Sequence, residues 1–229
     1  MPRPLTGISS MATRQLLAEL AQAYERAGGA PVHFESVGGV DAAKRVAAGE
    51  VFDLVVLADD ALERLLAGGH VVAGSRRDLV RSEVVAAVRA GAARPAIDTE
   101  AALRAAVQAA ASIGYSTGPS GNALLQLIER WGLGDALRAR LRQAPPGVPV
   151  GTLVARGEVE LGFQQRSELM QLPGITVLGA LPEPCAIVTI FSAGVGARAA
   201  QPDAARALID FLCAPAAADL KRRHGMTPA

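Results

Sequence analysis

Aromatic residues make up only 3% of this chain. A core without large rings must be built from Ala, Val, Leu and Ile, which favours helices packed tightly on sheets over aromatic clusters. Cysteine is scarcer still, with only Cys185 and Cys213. Their spacing fits no zinc pattern, and both read as small buried hydrophobes. Neither sign of charge is in excess, with 23 Lys and Arg against 22 Asp and Glu. Bulk electrostatics therefore point to neither nucleic acid nor an acidic membrane. No basic run interleaves with aromatics, so no nucleic-acid partner is expected. His33, His70 and His224 stand apart from other metal-ligating residues, and no metal site is expected. Nothing suggests a cofactor. No apolar run reaches the roughly 18 residues that span a bilayer, so membrane insertion is not expected. The opening residues Met1-Pro2-Arg3-Pro4 lead straight into an element instead of a secretory leader. As it stands the chain reads as cytoplasmic, or periplasmic if a leader has been removed.

What is present is a repeated alternation of strand and helix over 229 residues, enough for two lobes of roughly 100 residues each. Leu5–Ser9, Val32–Val37 and Asp53–Ala58 read as strands, and Thr13–Ala27, Val40–Ala48 and Asp60–Ala67 as helices. The run DLVVLA is apolar enough to be buried on both faces, as parallel strands are. The grammar then repeats. Val84–Arg89, Ser112–Tyr115, Val159–Phe163, Ile175–Leu178 and Ile187–Phe191 are strand candidates. Thr99–Ala110, Asn122–Trp131, Val150–Arg156, Ala204–Leu212 and Ala216–His224 are helix candidates, with Asp98 as the N-cap of the first. Such alternation argues for parallel sheets joined by right-handed crossovers.

In open α/β sheets ligands sit outside the carboxyl ends of strands, so the strand-to-helix turns carry the functional argument. The first turn holds Ser9 and Ser10 at a helix start, where partial positive charge favours anions; a simple N-cap is the competing role. The second holds Gly38 and Gly39, which let backbone approach a ligand or merely close a tight turn. The third, Gly114 to Asn122, is the richest, with Tyr115, Ser116, Thr117 and Ser120 beside Gly114, Gly118 and Gly121. Joining a strand to a helix needs one cap, not three hydroxyls. It lacks the Lys-Ser/Thr ending of a phosphate loop, so nucleotide hydrolysis is not expected, nor is a serine hydrolase. The fourth places Gln164 and Gln165 after an apolar strand, where their amides can donate hydrogen bonds. Arg81 and Arg89 lie where the chain should leave the first lobe, and either could grip a carboxylate bidentately. Together these turns offer neutral donors with little fixed charge.

Several stretches resemble the molybdate-binding-protein-like branch of the type 2 periplasmic binding proteins. They are GISSMATRQLLAELAQAYERAGG, AAGEVFDLVVLADDALERLLAGGHV, VARGEVELGFQQRSEL and AARALIDFLCAPAAADLKRRHGMTPA. The likeness spans nearly the whole chain. It implies an α/β fold of two Rossmann-like lobes with mainly parallel sheets and a ligand cleft between them. Lobe one would hold 1–80 and 186–229, and lobe two 81–185, with hinge closure on ligand. It places the family's first oxyanion serine at Ser9 or Ser10, its second-turn serine within Val37–Gly39 and its late tyrosine at Gln165. The losses at the last two places disfavour molybdate and suggest a larger anion, an organic carboxylate. The expected partners are a small anion and, if the chain is exported, an ABC permease. A neighbouring branch resembles aconitate isomerases. Such chemistry would need a base and an acid, for which Tyr115, Glu168 and Glu35 are the candidates. A missing leader would favour that alternative over a transport receptor. A cytoplasmic ligand sensor is the third function considered.

Overall fold

The structure is a computed structural model and describes residues 3–229. Two compact units divide the chain. The first runs up to Arg81 and resumes at Ile190–Ala229; the second is Ser82–Thr189.

The first unit opens with β1 (Leu5–Ser10), α1 (Arg14–Arg26), β2 (Val32–Val37), α2 (Gly39–Ala47), β3 (Leu54–Ala58) and α3 (Asp59–Ala67). Next comes β4 (Arg77–Arg89), which begins in this unit and continues into the second. β4 starts well before the expected Val84, because buried and exposed residues alternate from Val80 to Val84. β1 pairs in parallel with both β2 and β3, which aligns their carboxyl ends. All five residues of β3 are buried, as the apolar run requires. Leu54 and Val56 pack against Leu16, Leu17 and Leu20 of α1. Val55 and Leu57 turn to the other side, against Val46 of α2 and Leu62 of α3. This sheet is therefore covered on both faces.

The second unit contains α4 (Glu100–Ala109), β5 (Ile113–Tyr115), α5 (Pro119–Arg130), α6 (Gly134–Leu137), β6 (Leu141–Gln143), α7 (Val150–Ala155), β7 (Leu161–Gln165), α8 (Arg166–Leu169) and β8 (Ile175–Ala180). β9 (Val188–Val195) starts here and runs on into the first unit. There it precedes α9 (Pro202–Cys213), α10 (Ala218–Arg223) and β10 (Met226–Pro228). β5 pairs in parallel with β6 and β7. The antiparallel pairs β3–β9, β4–β7 and β4–β8 involve the two strands that carry the chain across. Val84, Ala86 and Phe163 face Leu103 of α4 and Leu124 of α5. α7 covers the opposite side closely, and a side chain at Gly162 would collide with Val150 and Val154.

Two local expectations need correction. The N-cap of α4 is Thr99, whose hydroxyl accepts from Ala102 N at 3.1 Å, and not Asp98. Thr99 holds the extended conformation a cap needs. The strand expected at Val159–Phe163 is β7, shifted to end at Gln165, so both glutamines lie within the strand and are buried. Cys185 and Cys213 are free thiols, buried and half-buried.

One carboxylate ties the first unit together. Asp53 is 1% exposed. It accepts from Thr6 N at 2.9 Å, Thr6 Oγ1 at 3.1 Å and Gln201 N at 3.0 Å, joining β1, the entry to β3 and the start of α9. Burial pushes its pKa up, but the backbone donors of Thr6 and Gln201 outweigh this and hold it below the ordinary value. A lowered folded pKa stabilises the fold above the unfolded value and loses that stabilisation as pH falls through the folded one. Urea unfolding should therefore show stability falling below about pH 4. Asp53→Asn should flatten that loss while costing about 1–3 kcal/mol at neutral pH.

Candidate functional site

The parallel register of β1 and β2 sets Ser9 directly beside Ser36, and their hydroxyl oxygens are 2.8 Å apart. Ser9 also donates a long bond of 3.4 Å to the Ser10 carbonyl. With Ser36 as donor to it, Ser9 is fully engaged and completely buried. Ser10 is different. It is 6% exposed, and its Oγ has no hydrogen-bond partner. Neither serine caps the helix that follows, so capping does not explain them. α2 begins at Gly39 after Gly38, with no side-chain cap. A Cβ at Gly39 would lie 3.5 Å from Ser10 Cβ, so the unpaired hydroxyl belongs to a residue packed against the start of this helix. Ser36, just before the second turn, was not expected to matter, and its hydroxyl is paired with Ser9. Its parallel partner, Ser9, was the signal that could have found it.

In the second unit, Tyr115 ends β5 and is half-buried against the core. Ser116 and Ser120 lie 2.9 Å apart, oxygen to oxygen. Such a pair has two hydrogens and uses one, so one donor stays free. α5 starts at Pro119 with no side-chain cap. Gly121 allows the turn to close, because a Cβ there would overlap the Ser116 carbonyl oxygen. Thr117 is half-buried beside this pair in sequence. The run Gly114-Tyr115-Ser116-Thr117-Gly118 does have the G-x-S-x-G spacing of a nucleophile elbow. An elbow serine needs a base, and the partner of Ser116 is another hydroxyl. No non-glycine residue adopts the strained positive φ among the described residues.

The adjacent glutamines have separate fates. Gln164 Oε1 accepts from Val150 N at 2.6 Å, and its Nε2 donates to Glu168 Oε1 at 2.8 Å. Gln164 thus braces α7 and orients Glu168. Gln165 is 3% exposed and donates to Thr189 Oγ1 at 2.7 Å, while its Oε1 has no partner. Glu35 does not fit the role of a proton acceptor. It forms a two-pronged ion pair with Arg45, at 2.5 and 2.9 Å, and the guanidinium also binds Glu50. Hydrogen bonds from Arg45 hold the Glu35 carboxyl below its usual range. Arg81 is exposed, at the last residue before the chain enters the second unit. Arg89 is exposed too, at the far end of β4.

Among the described residues, no cluster of three or more His, Cys, Asp or Glu could hold a metal ion, and no helix is long and apolar enough to cross a membrane. A cavity of about 270 Å³ lies in the first unit, lined by Phe52, Val55, His70 and Arg198 among others. It opens near the entry to β3, the opposite end from Ser10, and Glu50 is its one lining residue among the candidate-site side chains described above.

The two serines of β1 should behave differently on truncation. Ser9→Ala loses a paired buried hydroxyl and should cost about 1 kcal/mol of stability. Ser10→Ala removes an unpaired one and should cost nothing, or stabilise. Urea titration of the two variants checks this.

A family model described as bacterial extracellular solute-binding protein matches residues 5–227. An aconitate isomerase from Pseudomonas sp is 36% identical over 230 residues, covering 98% of this chain and 87% of that protein. The periplasmic molybdate-binding protein of Azotobacter vinelandii superposes with a TM-score of 0.81 at 21% identity, over 97% of this chain and 98% of that one. A sulfate-binding protein from Mycobacterium tuberculosis does so with a TM-score of 0.78 at 16% identity, over 100% and 88%. The fold is thus the α/β fold of the type 2 periplasmic binding proteins, and the chain belongs to the bacterial extracellular solute-binding protein family.

Proposed function

We propose that this protein binds a small organic carboxylate through neutral donors at its strand ends. The donors are Ser10 and the start of α2 in the first unit. In the second they are Tyr115, the Ser116–Ser120 pair, the start of α5 and Gln165. The observation that carries this is the Ser10 hydroxyl, buried beside a helix start and without a partner. A helix start holds about half a positive charge and suits an anion. With neutral donors, selectivity would come from shape and hydrogen-bond count. An ABC permease is the partner implied if the protein delivers its ligand for transport.

A second function on the same site is isomerisation of an aconitate-type tricarboxylate, favoured by the 36% identical relative. A base would take a proton from the methylene beside one carboxylate. The double bond would shift, and an acid would return a proton to the distal carbon. Glu168, oriented by Gln164, and Tyr115 are the groups we assign to this exchange. Glu35 is withdrawn from it by Arg45.

A thermal-shift screen against molybdate, tungstate, sulfate, citrate, and cis- and trans-aconitate tests both readings, with NMR of each mixture that shifts. A carboxylate should raise the melting temperature, and Ser10→Ala should weaken its binding by about 1–3 kcal/mol. An unchanged ligand supports binding alone. Conversion of cis- to trans-aconitate that falls with Glu168→Gln supports the isomerase. A response to the inorganic oxyanions only would overturn the carboxylate assignment.

A further inference from the structure

The amino ends of the parallel strands in the first unit carry a second concavity. β1 and β3 pair with Gly7 beside Leu54, so Phe52, just before β3, lies level with Leu5. Ser10 stands five residues further along β1, roughly 17 Å away. The cavity of about 270 Å³ is at this amino end, and the donors at the carboxyl ends take no part in it.

Its walls divide by chemistry. Val46, Phe52 and Val55 are buried and give an apolar floor. Val51, which also lines it, is 49% exposed, the most exposed large apolar side chain among the described residues. An apolar group left in water beside an apolar hollow gains when a ligand covers it. The polar side chains are Glu50, His70 and Arg198. Glu50 is engaged by Arg45, whose guanidinium also lies over the Phe52 ring, 5.6 Å from its centroid. Arg198 has no carboxylate partner among the described residues. Its Nη2 donates to the Gly49 carbonyl, which holds the guanidinium at the cavity and leaves its other nitrogens free. The absence of a side chain at Gly49 makes this possible, because a Cβ there would collide with Arg198 Nη2.

We infer that this cavity binds a monocarboxylate with a short apolar tail. The tail lies on Val46, Phe52 and Val55 and covers Val51, and the carboxylate takes the free nitrogens of Arg198. The volume is just under the roughly 300 Å³ at which ligand pockets begin. It has room for about nine water-sized volumes, which suits a tail of a few carbons and excludes a long acyl chain. A polyanion is disfavoured, because a further carboxylate would meet Glu50. The site is independent of the function proposed for the strand ends.

Calorimetry with hexanoate and hexylamine tests this on the wild type, Arg198→Gln, Arg198→Lys, Val51→Asp and Ser10→Ala, with amide NMR to locate the ligand. Hexanoate should bind the wild type and shift the amides of Val51, Phe52 and His70. Arg198→Gln should weaken it about tenfold or more, and Arg198→Lys, which keeps the charge, should weaken it less. Val51→Asp leaves the Arg198–Gly49 bond intact but sets a like charge at the cavity, and it should weaken hexanoate too. Ser10→Ala should bind hexanoate as the wild type does. Hexylamine, with the same tail and the opposite charge, should not bind. The inference is overturned if hexanoate does not bind, or if hexylamine binds as well as hexanoate. It is also overturned if Ser10→Ala abolishes hexanoate binding while Arg198→Gln leaves it unchanged, since the carboxylate then sits at the strand ends.

Discussion

A polar group taken out of water must find a partner inside the protein, at a cost of about 1–3 kcal/mol for each one that fails. Much of this molecule can be understood by following that requirement. Asp53 meets it completely, and in doing so joins β1, β3 and the start of α9. Gln164 meets it at both ends, fixing α7 against β7 and orienting Glu168. Ser9 meets it through Ser36, a contact that exists only because parallel register sets those two residues side by side. These groups build the frame.

A smaller group fails the requirement. Besides Arg76 Nε, whose guanidinium is ion-paired at its other nitrogens, Ser10, Ser82, Gln165 and Ser167 each keep an unpaired buried atom. A protein fold has no structural reason to retain a hydroxyl that alanine could replace without loss. The retention at Ser10 makes sense if a ligand completes it. The same principle explains why the donors are neutral. A guanidinium left unpaired in such a place would cost far more than a hydroxyl, so the proposed contacts to an anion are better made by serines and amides.

Much of the fold was legible because it depends on periodicity. The run Leu54–Ala58 is apolar at every position, which only a strand covered on both faces tolerates, and it is so covered. The site was legible only in part. Ser116, Thr117 and Ser120 stood out as more hydroxyls than capping needs, and Ser10 as one of two serines at a helix start. Ser36 did not, because its role comes from a partner strand. Glu35 looked like a free carboxylate until the fold brought Arg45 to it. The fate of Gln164 and Gln165 differs because adjacent strand residues face opposite sides, which a turn would not have required.

The central claim is that Ser10 keeps its hydroxyl unpaired for a carboxylate. A crystal structure of the protein grown with trans-aconitate measures this directly. The account predicts a carboxylate oxygen about 2.5–3.0 Å from Ser10 Oγ. A tightly bound ligand held elsewhere, with Ser10 Oγ bonded only to water, would contradict it.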